Sequence, residues 1–250
     1  MMIRATLLLS VLLAAALPAR AEIINPRQEY ADCLQLARQK PEAGWEEAIA
    51  WQSLAGGEPA RHCAAVALIG LGKYEEAAHR LEALALQSHR PESVRAEMLA
   101  QAAQSWLMAN QTEKALADQD AALKLVPGQP DLLLDKAVTL ASVSHYPEVV
   151  EVLTGLLKAQ PNRIEALTLR ASAYRYVDKL DFAKEDVARA LALDPNYPDA
   201  LLERGMLRRL DDNIVGARED WLKVINAFPE SPAADIARRN LEMMDVKIAK

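Results

Sequence analysis

Side chains that commonly carry out catalysis are sparse in this chain and stand apart from one another. The chain has four histidines, His62, His79, His89 and His145. None of them has the HExxH spacing of a zinc site, and none lies beside a Cys or Ser in a nucleophile motif. Adjacent acids such as Asp211 and Asp212 are expected on solvated helix faces, because the chain has 35 acidic residues. We therefore expect a protein that is not an enzyme and that holds no metal or cofactor.

The first 21 residues have the features of a secretory signal peptide. Arg4 supplies a positive charge, residues 6–17 form an apolar run too short to span a membrane, and residues 19–21 (Ala-Arg-Ala) match a cleavage site. No Cys follows the run, which argues against a lipid anchor. We expect cleavage before Glu22 and a mature protein in the periplasm of a Gram-negative bacterium. The alternative is a segment that stays in place as an N-terminal anchor.

Two cysteines, Cys33 and Cys63, both lie in the predicted mature part. Because an exported protein meets an oxidising compartment, we expect a disulfide bond between them. Closing this loop would stabilise the fold by about 3–4 kcal/mol in the chain-entropy model. The alternative is two buried thiols that pack as small apolar residues. A metal site is disfavoured, because no CxxC pair or close histidine cluster accompanies them.

The charge of the predicted mature chain excludes some partners. Two of the 29 basic residues lie in the signal peptide, which leaves 27 basic and 35 acidic residues and a net charge of −8. No basic block is present. Nucleic acids and anionic membrane surfaces are bound through Lys and Arg, so we expect neither as a partner, and no stable membrane insertion after signal cleavage.

The rest of the chain repeats itself with a period of 34 residues. Apolar residues recur at steps of three and four, which predicts amphipathic helices throughout. Prolines stand between the predicted helices, at Pro127, Pro161, Pro195 and Pro229. Leucines keep the same step, at Leu99, Leu133, Leu167 and Leu201. Such a period indicates one pair of helices copied along the chain.

These repeats resemble the tetratricopeptide repeat (TPR) family. That family has small residues where the two helices of a repeat cross, and a proline near the end of the repeat. The matching small residues here are Ala103, Ala115, Ala171, Ala183, Gly205 and Ala217. Two repeats depart from the pattern: the second has about four extra residues near 87–91, and the fourth has Val149 and Leu156 at positions of small residues. The resemblance implies an all-α, right-handed TPR solenoid of five to six helix hairpins.

The resemblance also divides the chain into segments. A signal peptide (1–21) is followed by a TPR-like hairpin (22–57), the repeats proper (58–231) and a C-terminal capping helix (232–250). The match is loosest over the first hairpin, whose stacking is left open. Arg170 with Asp186, and Arg204 with Asp220, have the same separation of 16 residues, and we expect structural ion pairs that join the two helices of one repeat.

The TPR resemblance places a ligand groove on the concave face, lined by the first helix of each pair. The residues expected in a peptide-binding groove are Gln101, Gln104, Met108, Asp135, Thr168, Ser172, Arg175, Tyr176, Glu203, Met206 and Arg209. Arg175 and Arg209 could together bind one carboxylate. The alternative is that they pair with nearby acids such as Asp178 and Asp211 or Asp212. The Lys and Asn residues with which some TPR proteins clamp a chaperone tail are absent.

The expected function is a non-catalytic scaffold or adaptor of the cell envelope that binds a protein or peptide in this groove. One alternative is a structural subunit of an envelope assembly that uses its ends or its convex face. Another is a periplasmic protein that binds a small molecule or a glycan. Most aromatic side chains are expected in the core rather than on a stacking surface: Trp45, Trp51, Trp106, Tyr174, Tyr176 and Trp221.

Overall fold

The computed structural model describes residues 26–248, and their side chains from 27 to 245. The predicted signal peptide lies outside this range. Within it the chain forms thirteen α-helices and no strand. They are α1 (Pro26–Gln39), α2 (Pro41–Ser53), α3 (Gly57–Gly70), α4 (Tyr74–Gln87), α5 (Glu92–Met108), α6 (Thr112–Leu125), α7 (Pro130–Ser142), α8 (Tyr146–Ala159), α9 (Ile164–Tyr176), α10 (Leu180–Leu193), α11 (Pro198–Leu210), α12 (Ile214–Ala227) and α13 (Pro232–Ile248).

The helices pair in chain order into six antiparallel hairpins, called repeats 1 to 6 here, and α13 follows the last of them. Each helix packs on the next one along the chain. First helices of neighbouring repeats also contact each other, as α7 does with α9 and α9 with α11. The predicted all-α helical solenoid is confirmed. None of the helices in the described range is long and apolar enough to cross a membrane.

One type of turn joins the two helices of repeats 2 to 6. Its central residue has a left-handed backbone, with φ between +57° and +72°. These residues are Gly72, Asn110, Ser144, Asp178 and Asp212. The amide that follows each of them donates to a carbonyl five residues back, as Lys179 does to Tyr174 at 2.8 Å. This Schellman turn satisfies the last carbonyls of the first helix and reverses the chain within three residues.

The extra residues of the second repeat lie in a different place from the one predicted. The connection at residues 88–91 has the same length as the connection at residues 126–129. The insertion lengthens α5 instead, which has 17 residues where α7 has 13. Four residues make about one helical turn, so the added turn leaves the rest of α5 with the same face toward its neighbours.

Small residues allow the two helices of a repeat to cross closely, as predicted. Ala171 and Ala183 in repeat 5, and Ala217 in repeat 6, are fully buried. A Cβ atom at Gly205 would collide with the indole of Trp221, which is fully buried beside it. Repeat 6 therefore balances the absence of a side chain on α11 with a large side chain on α12.

Most of the aromatic side chains lie in the core, as predicted. Trp51, Trp106 and Trp221 are buried, while Trp45 and Tyr174 are partly buried. The prediction was wrong for Tyr176, which is 54% exposed. Tyr176 is the last residue of α9, and its ring stacks on Tyr146 with the centroids 4.1 Å apart.

The first hairpin is held to the second repeat by the predicted disulfide bond. Cys33 of α1 and Cys63 of α3 are joined, with their Cα atoms 6.1 Å apart, and both are buried. The turn between α1 and α2 is a single residue, Lys40, with φ of −141°, so it differs from the left-handed turns of the later repeats. Repeat 1 therefore docks through a covalent link between first helices, but it does not copy the regular hairpin.

Candidate binding groove

A groove runs across the first helices of repeats 4, 5 and 6 and has a volume of about 310 Å³. Its apolar wall comes from Leu134 and Val138 of α7, Leu169 of α9 and Leu202 of α11. The 34-residue period repeats the same helix face in each repeat, so these side chains are brought to one surface. Val138 is 53% exposed, although it is a large aliphatic residue on this face.

The groove continues toward repeat 3 in a smaller hollow of about 80 Å³. Gln104 and Leu107 of α5 and Asp135 of α7 line this hollow, and Val138 lines both parts. The two hollows therefore form one path along α5, α7, α9 and α11, which we call the groove from here on.

Five of the residues predicted for the groove line it. They are Gln104, Asp135, Thr168, Ser172 and Glu203. Thr168 Oγ1 donates to the backbone oxygen of Ile164 at 2.9 Å, so its hydroxyl is already satisfied within α9. Ser172 is half-buried beside it and offers a hydroxyl to the groove.

Like Arg175, which is described below, five other predicted residues lie outside the two hollows. Met108 ends α5 and is 42% exposed, and Tyr176 stacks on Tyr146. Met206 Sδ accepts a hydrogen bond from Asn240 Nδ2 of α13 at 3.2 Å. Arg209 lies near the end of α11, where it is half-buried and forms no hydrogen bond or ion pair within the described side chains.

Gln101, the fifth of these, belongs to a buried hydrogen-bonded chain at the other end of the molecule. His62 Nε2 lies 3.0 Å from Gln101 Oε1, and His62 Nδ1 lies 2.8 Å from the Tyr30 hydroxyl. Burial lowers the pKa of His62, which keeps the ring neutral and able to donate to one neighbour and accept from the other. This chain ties α1, α3 and α5 together beside the disulfide bond.

Arg175 is held by an acid of the neighbouring repeat. Its Nε donates to Glu203 Oε1 of α11 at 2.5 Å, and its Nη2 donates to Glu203 Oε2 at 3.2 Å. Burial works against the charge of Arg175, but the hydrogen bonds to Glu203, its negative charge and the nearby Tyr176 together outweigh burial and raise the pKa of the guanidinium. The partner is thus an acid, as in the alternative considered from the sequence, although it is Glu203 and not Asp178.

The expected acid partners Asp178 and Asp212 have another role. Each takes the left-handed position of the turn in its repeat, which few residues other than Gly, Asn and Asp accept readily. Arg175 and Arg209 are therefore not an equivalent pair, because only Arg175 is neutralised by a partner.

The groove is rich in carboxylates. Asp131, Glu165 and Asp199 recur with the 34-residue period at the starts of α7, α9 and α11. Arg163 donates to Asp131 and to Glu165, at 3.0 Å in each case. Asp199 and Asp135 have no basic partner among the described side chains. Partial burial raises the pKa of both, and Asp131 adds to the rise at Asp135.

Leu169 and Tyr197 are among the groove residues that were missed from the sequence. Leu169 neighbours Thr168, which was assigned to the groove, but no spacing in the sequence indicated that both residues face the groove. Tyr197 precedes α11 by one residue, and burial raises the pKa of its hydroxyl, with added effects from Asp199 and Glu165. It stands in register with Arg163 and Gln129, the residues just before α9 and α7. This shared register is the sequence feature from which a side chain facing the groove could have been predicted.

The described side chains show no metal site. No group of three or more His, Cys, Asp and Glu residues is close enough to hold an ion in that part of the chain.

No protein-family model matches this sequence, and no curated protein sequence matches it. Solved structures do match. The C-terminal part of a TPR repeat-containing protein from Cytophaga hutchinsonii is 14% identical, with a TM-score of 0.65, over 79% of this chain and 78% of that one. MamA from Desulfovibrio magneticus is 22% identical, with a TM-score of 0.60, over 70% of this chain and 97% of that one.

A third structure is YrrB, described as a TPR protein with an unusual peptide-binding site. It is 18% identical, with a TM-score of 0.57, over 76% of this chain and 96% of that one. At these identities the likeness is one of fold. The chain therefore has the TPR fold, as the residue pattern predicted.

Proposed function

We propose that the protein is a non-catalytic scaffold that holds a segment of a partner protein in the groove. The observation that carries this proposal is the apolar wall of the groove. Leu134, Leu169 and Leu202 come from three successive first helices and line a hollow of about 310 Å³. Leu134 and Leu169 are half-buried, Leu202 is buried, and Val138 beside them is exposed. A continuous apolar surface of this kind, flanked by polar groups, is typical of an interaction site.

The proposal places the mature protein in the periplasm. Its support is the signal-like sequence of residues 1–21 and the Cys33–Cys63 disulfide bond, which suits an oxidising compartment. The partner would then be a protein or peptide of the cell envelope. YrrB, which shares the fold, is described as having a peptide-binding site, and this likeness supports a peptide ligand for the groove.

Site-specific photo-crosslinking tests the proposal. A benzophenone amino acid replaces Ser172 in the groove, or Glu185 on the exposed face of α10 as the matched control, and each protein is irradiated in an envelope extract. We expect one partner to be crosslinked from position 172 and not from position 185. Crosslinks from position 185 alone would assign the binding surface to the convex face and contradict the proposal.

A groove substitution then shows that the captured partner occupies the groove. Val138→Lys places a charge and a longer side chain where both hollows meet. Val215→Lys, at a position of α12 that is 71% exposed, makes the same change away from the groove. We expect the Val138→Lys protein to lose the crosslink from position 172 and the Val215→Lys protein to keep it. A partner retained by both proteins would not be held in the groove.

A further inference from the structure

The charges that face the groove do not balance. Four carboxylates line it, from Asp135, Glu165, Asp199 and Glu203, and no cationic side chain of residues 27–245 lines either hollow. Two guanidinium groups outside the hollows pair with these acids: Arg175 with Glu203, and Arg163 with Glu165 and with a fifth carboxylate, that of Asp131. These groups sum to a net charge of −3. Other basic side chains of these helices are engaged elsewhere: Lys136 of α7 pairs with Asp120, and Arg170 of α9 pairs with Asp186.

Within the part of the chain that the structure describes, two of these carboxylates have no cationic partner. Arg175 and Glu203 form an ion pair, and Arg163 forms ion pairs with both Asp131 and Glu165. Asp135 and Asp199 have no cation in the described side chains. Arg209 is seven residues beyond Leu202 on α11, or about 10 Å along the helix axis, and it lines neither hollow.

Both lone carboxylates stand beside apolar surface. Asp135 shares the smaller hollow with Leu132 and Val138, and Asp199 shares the larger one with Leu202 and Tyr197. A carboxylate that has lost part of its hydration gains more from an incoming cation than one on an open helix face does. Both side chains are themselves exposed, and desolvation by their apolar neighbours raises the pKa of both.

We infer that the segment held in the groove is cationic and extended, with two basic side chains on either side of an apolar stretch. This inference rests on the proposed function and adds the chemistry of the partner to it. One basic group pairs with Asp135 and the other with Asp199, while apolar side chains between them contact Leu134, Leu169 and Leu202.

The helix spacing sets the distance between the two basic residues. Asp135 is on α7 and Asp199 is on α11, with α9 between them, and packed helices lie about 8–10 Å apart. The two carboxylates are thus about 20 Å apart. An extended chain rises about 3.3 Å per residue, so the two basic residues are about six positions apart.

Calorimetric titration with synthetic peptides tests the inference. The probe is the acetylated, amidated peptide Gly-Lys-Ser-Leu-Ser-Leu-Ser-Lys-Gly, in which both Lys and both Leu lie on the same face of an extended chain. Its matched controls carry Gln or Glu in place of both Lys. We expect the Lys peptide to bind about tenfold more tightly than the Gln peptide, and the Glu peptide to bind most weakly. The preference for Lys should diminish as salt rises, because the Debye length falls below about 10 Å above 0.1 M.

Two double variants locate the effect. Asp135→Asn with Asp199→Asn removes the lone carboxylates, and the fold is expected to persist because these groups form no ion pair. Glu151→Gln with Glu219→Gln removes two exposed charges from α8 and α12 and serves as the control. We expect the first variant to bind the Lys and Gln peptides equally. The second should keep the preference for Lys within about twofold.

Several results would overturn the inference. Equal binding of the Lys and Gln peptides, or tighter binding of the Glu peptide, would show a groove without cation preference, while groove binding and the proposed function would stand. No binding of the Lys peptide, together with a crosslinked envelope partner, would also leave the proposed function in place. Self-association in analytical ultracentrifugation that Val138→Lys abolishes, with no binding of the Lys peptide, would instead assign the groove to a second copy of the chain.

Discussion

Repeats 5 and 6 each hold a buried aspartate against an arginine, whereas repeat 3 buries the aspartate in the same register without one. Arg170 donates to both carboxylate oxygens of Asp186, at 2.7 and 2.8 Å. Arg204 makes the same two hydrogen bonds to Asp220, at 2.9 and 2.7 Å. Both pairs were predicted from their common separation of 16 residues and are confirmed.

In repeat 3 the acid is Asp118, and position 102, where an arginine would stand, is Ala. Asp118 is 8% exposed, and its Oδ2 accepts no hydrogen bond from the described part of the chain. Its neighbours are Glu82 of α4, and Trp106, whose Nε1 donates to Glu82 Oε1 at 2.7 Å. Burial, and after it the charge of Glu82, raises the pKa of Asp118 to about 7.

Repeat 4 lacks the acid of this pair instead of the base. It keeps a base, Lys136, and has Val152 at the position of the acid, so Lys136 bonds to Asp120 of the preceding repeat at 2.5 Å. Repeats 3 and 4 nevertheless form the same hairpin as repeats 5 and 6. The ion pair therefore is not what makes the hairpin. What repeats 3 to 6 share is a small residue on the first helix where the helices cross, while repeat 4 has Val149 on the second helix where the others have Ala.

The largest effect is expected from breaking an intact pair. Arg170→Met leaves Asp186 buried without its main partner, because Arg189 reaches it only at 3.5 Å. We expect a loss of about 3 kcal/mol in the free energy of unfolding, since an uncompensated buried charge is costly. Urea unfolding followed by circular dichroism measures it.

The same change in repeat 6 sharpens this prediction. Arg204→Met should cost less than Arg170→Met, because Arg208 Nη1 still donates to Asp220 at 2.8 Å. The double variant Arg170→Met with Asp186→Leu should recover most of the loss, because no buried charge remains. Equal losses for the two Arg substitutions would show that the second arginine does not support Asp220.

A smaller effect of opposite sign is expected in repeat 3. Asp118→Asn should stabilise the protein by about 1–3 kcal/mol at pH 8, because it removes a buried carboxylate that has no cation and gives Glu82 a donor. The gain should depend on pH. The pKa of Asp118 is raised from 3.8 to about 7 by folding, so the folded state holds an extra proton between these values.

The wild-type protein therefore loses stability from this group as pH rises from about 4 to 7, and the penalty is complete above about pH 7. The gain from Asp118→Asn should shrink at pH 5. Asp186→Asn in repeat 5 is the matched control and should destabilise, because it takes the charge from a satisfied pair. A destabilising Asp118→Asn at pH 8 would mean that the carboxylate has a cationic partner in solution.

The fold and these pairs could be predicted because both follow the period. Arg170 and Asp186 lie on two helices of one repeat, and the next repeat offers the same pair 34 residues later. The bond between Arg175 and Glu203 joins two repeats across 28 residues, and no second copy of it marks the register. The bond forms only at a particular rotation of one hairpin relative to the next, and the sequence pattern does not predict that rotation.

The groove was predicted in part for the same reason. Thr168 and Ser172 are four residues apart on one face of α9, so helical spacing places them together. Tyr197 comes from the connection before α11, where no helical period applies. Arg209 was assigned by its register with Arg175, but the end of α11 carries it away from both hollows.

The smallest effect concerns the turns that repeats 3, 5 and 6 share. Asp178 and Asp212 hold the left-handed position in repeats 5 and 6, at φ of +58° and +59°, and Asn110 holds it in repeat 3. Asp178→Gly should raise the free energy of unfolding by about 0.5–1 kcal/mol, because glycine adopts this backbone conformation without steric cost, although its larger unfolded-state entropy offsets part of the gain.

Asn110→Gly should raise the free energy of unfolding by less, because Asn is already the best tolerated residue there after Gly. Thermal unfolding at neutral pH measures both. Asp181→Gly in the first turn of α10 is the control and should destabilise by about 0.5–1 kcal/mol, because it adds a glycine to a helix and removes a negative charge near its N-terminus. A loss for Asp178→Gly would show that its side chain, and not only its backbone, stabilises the turn.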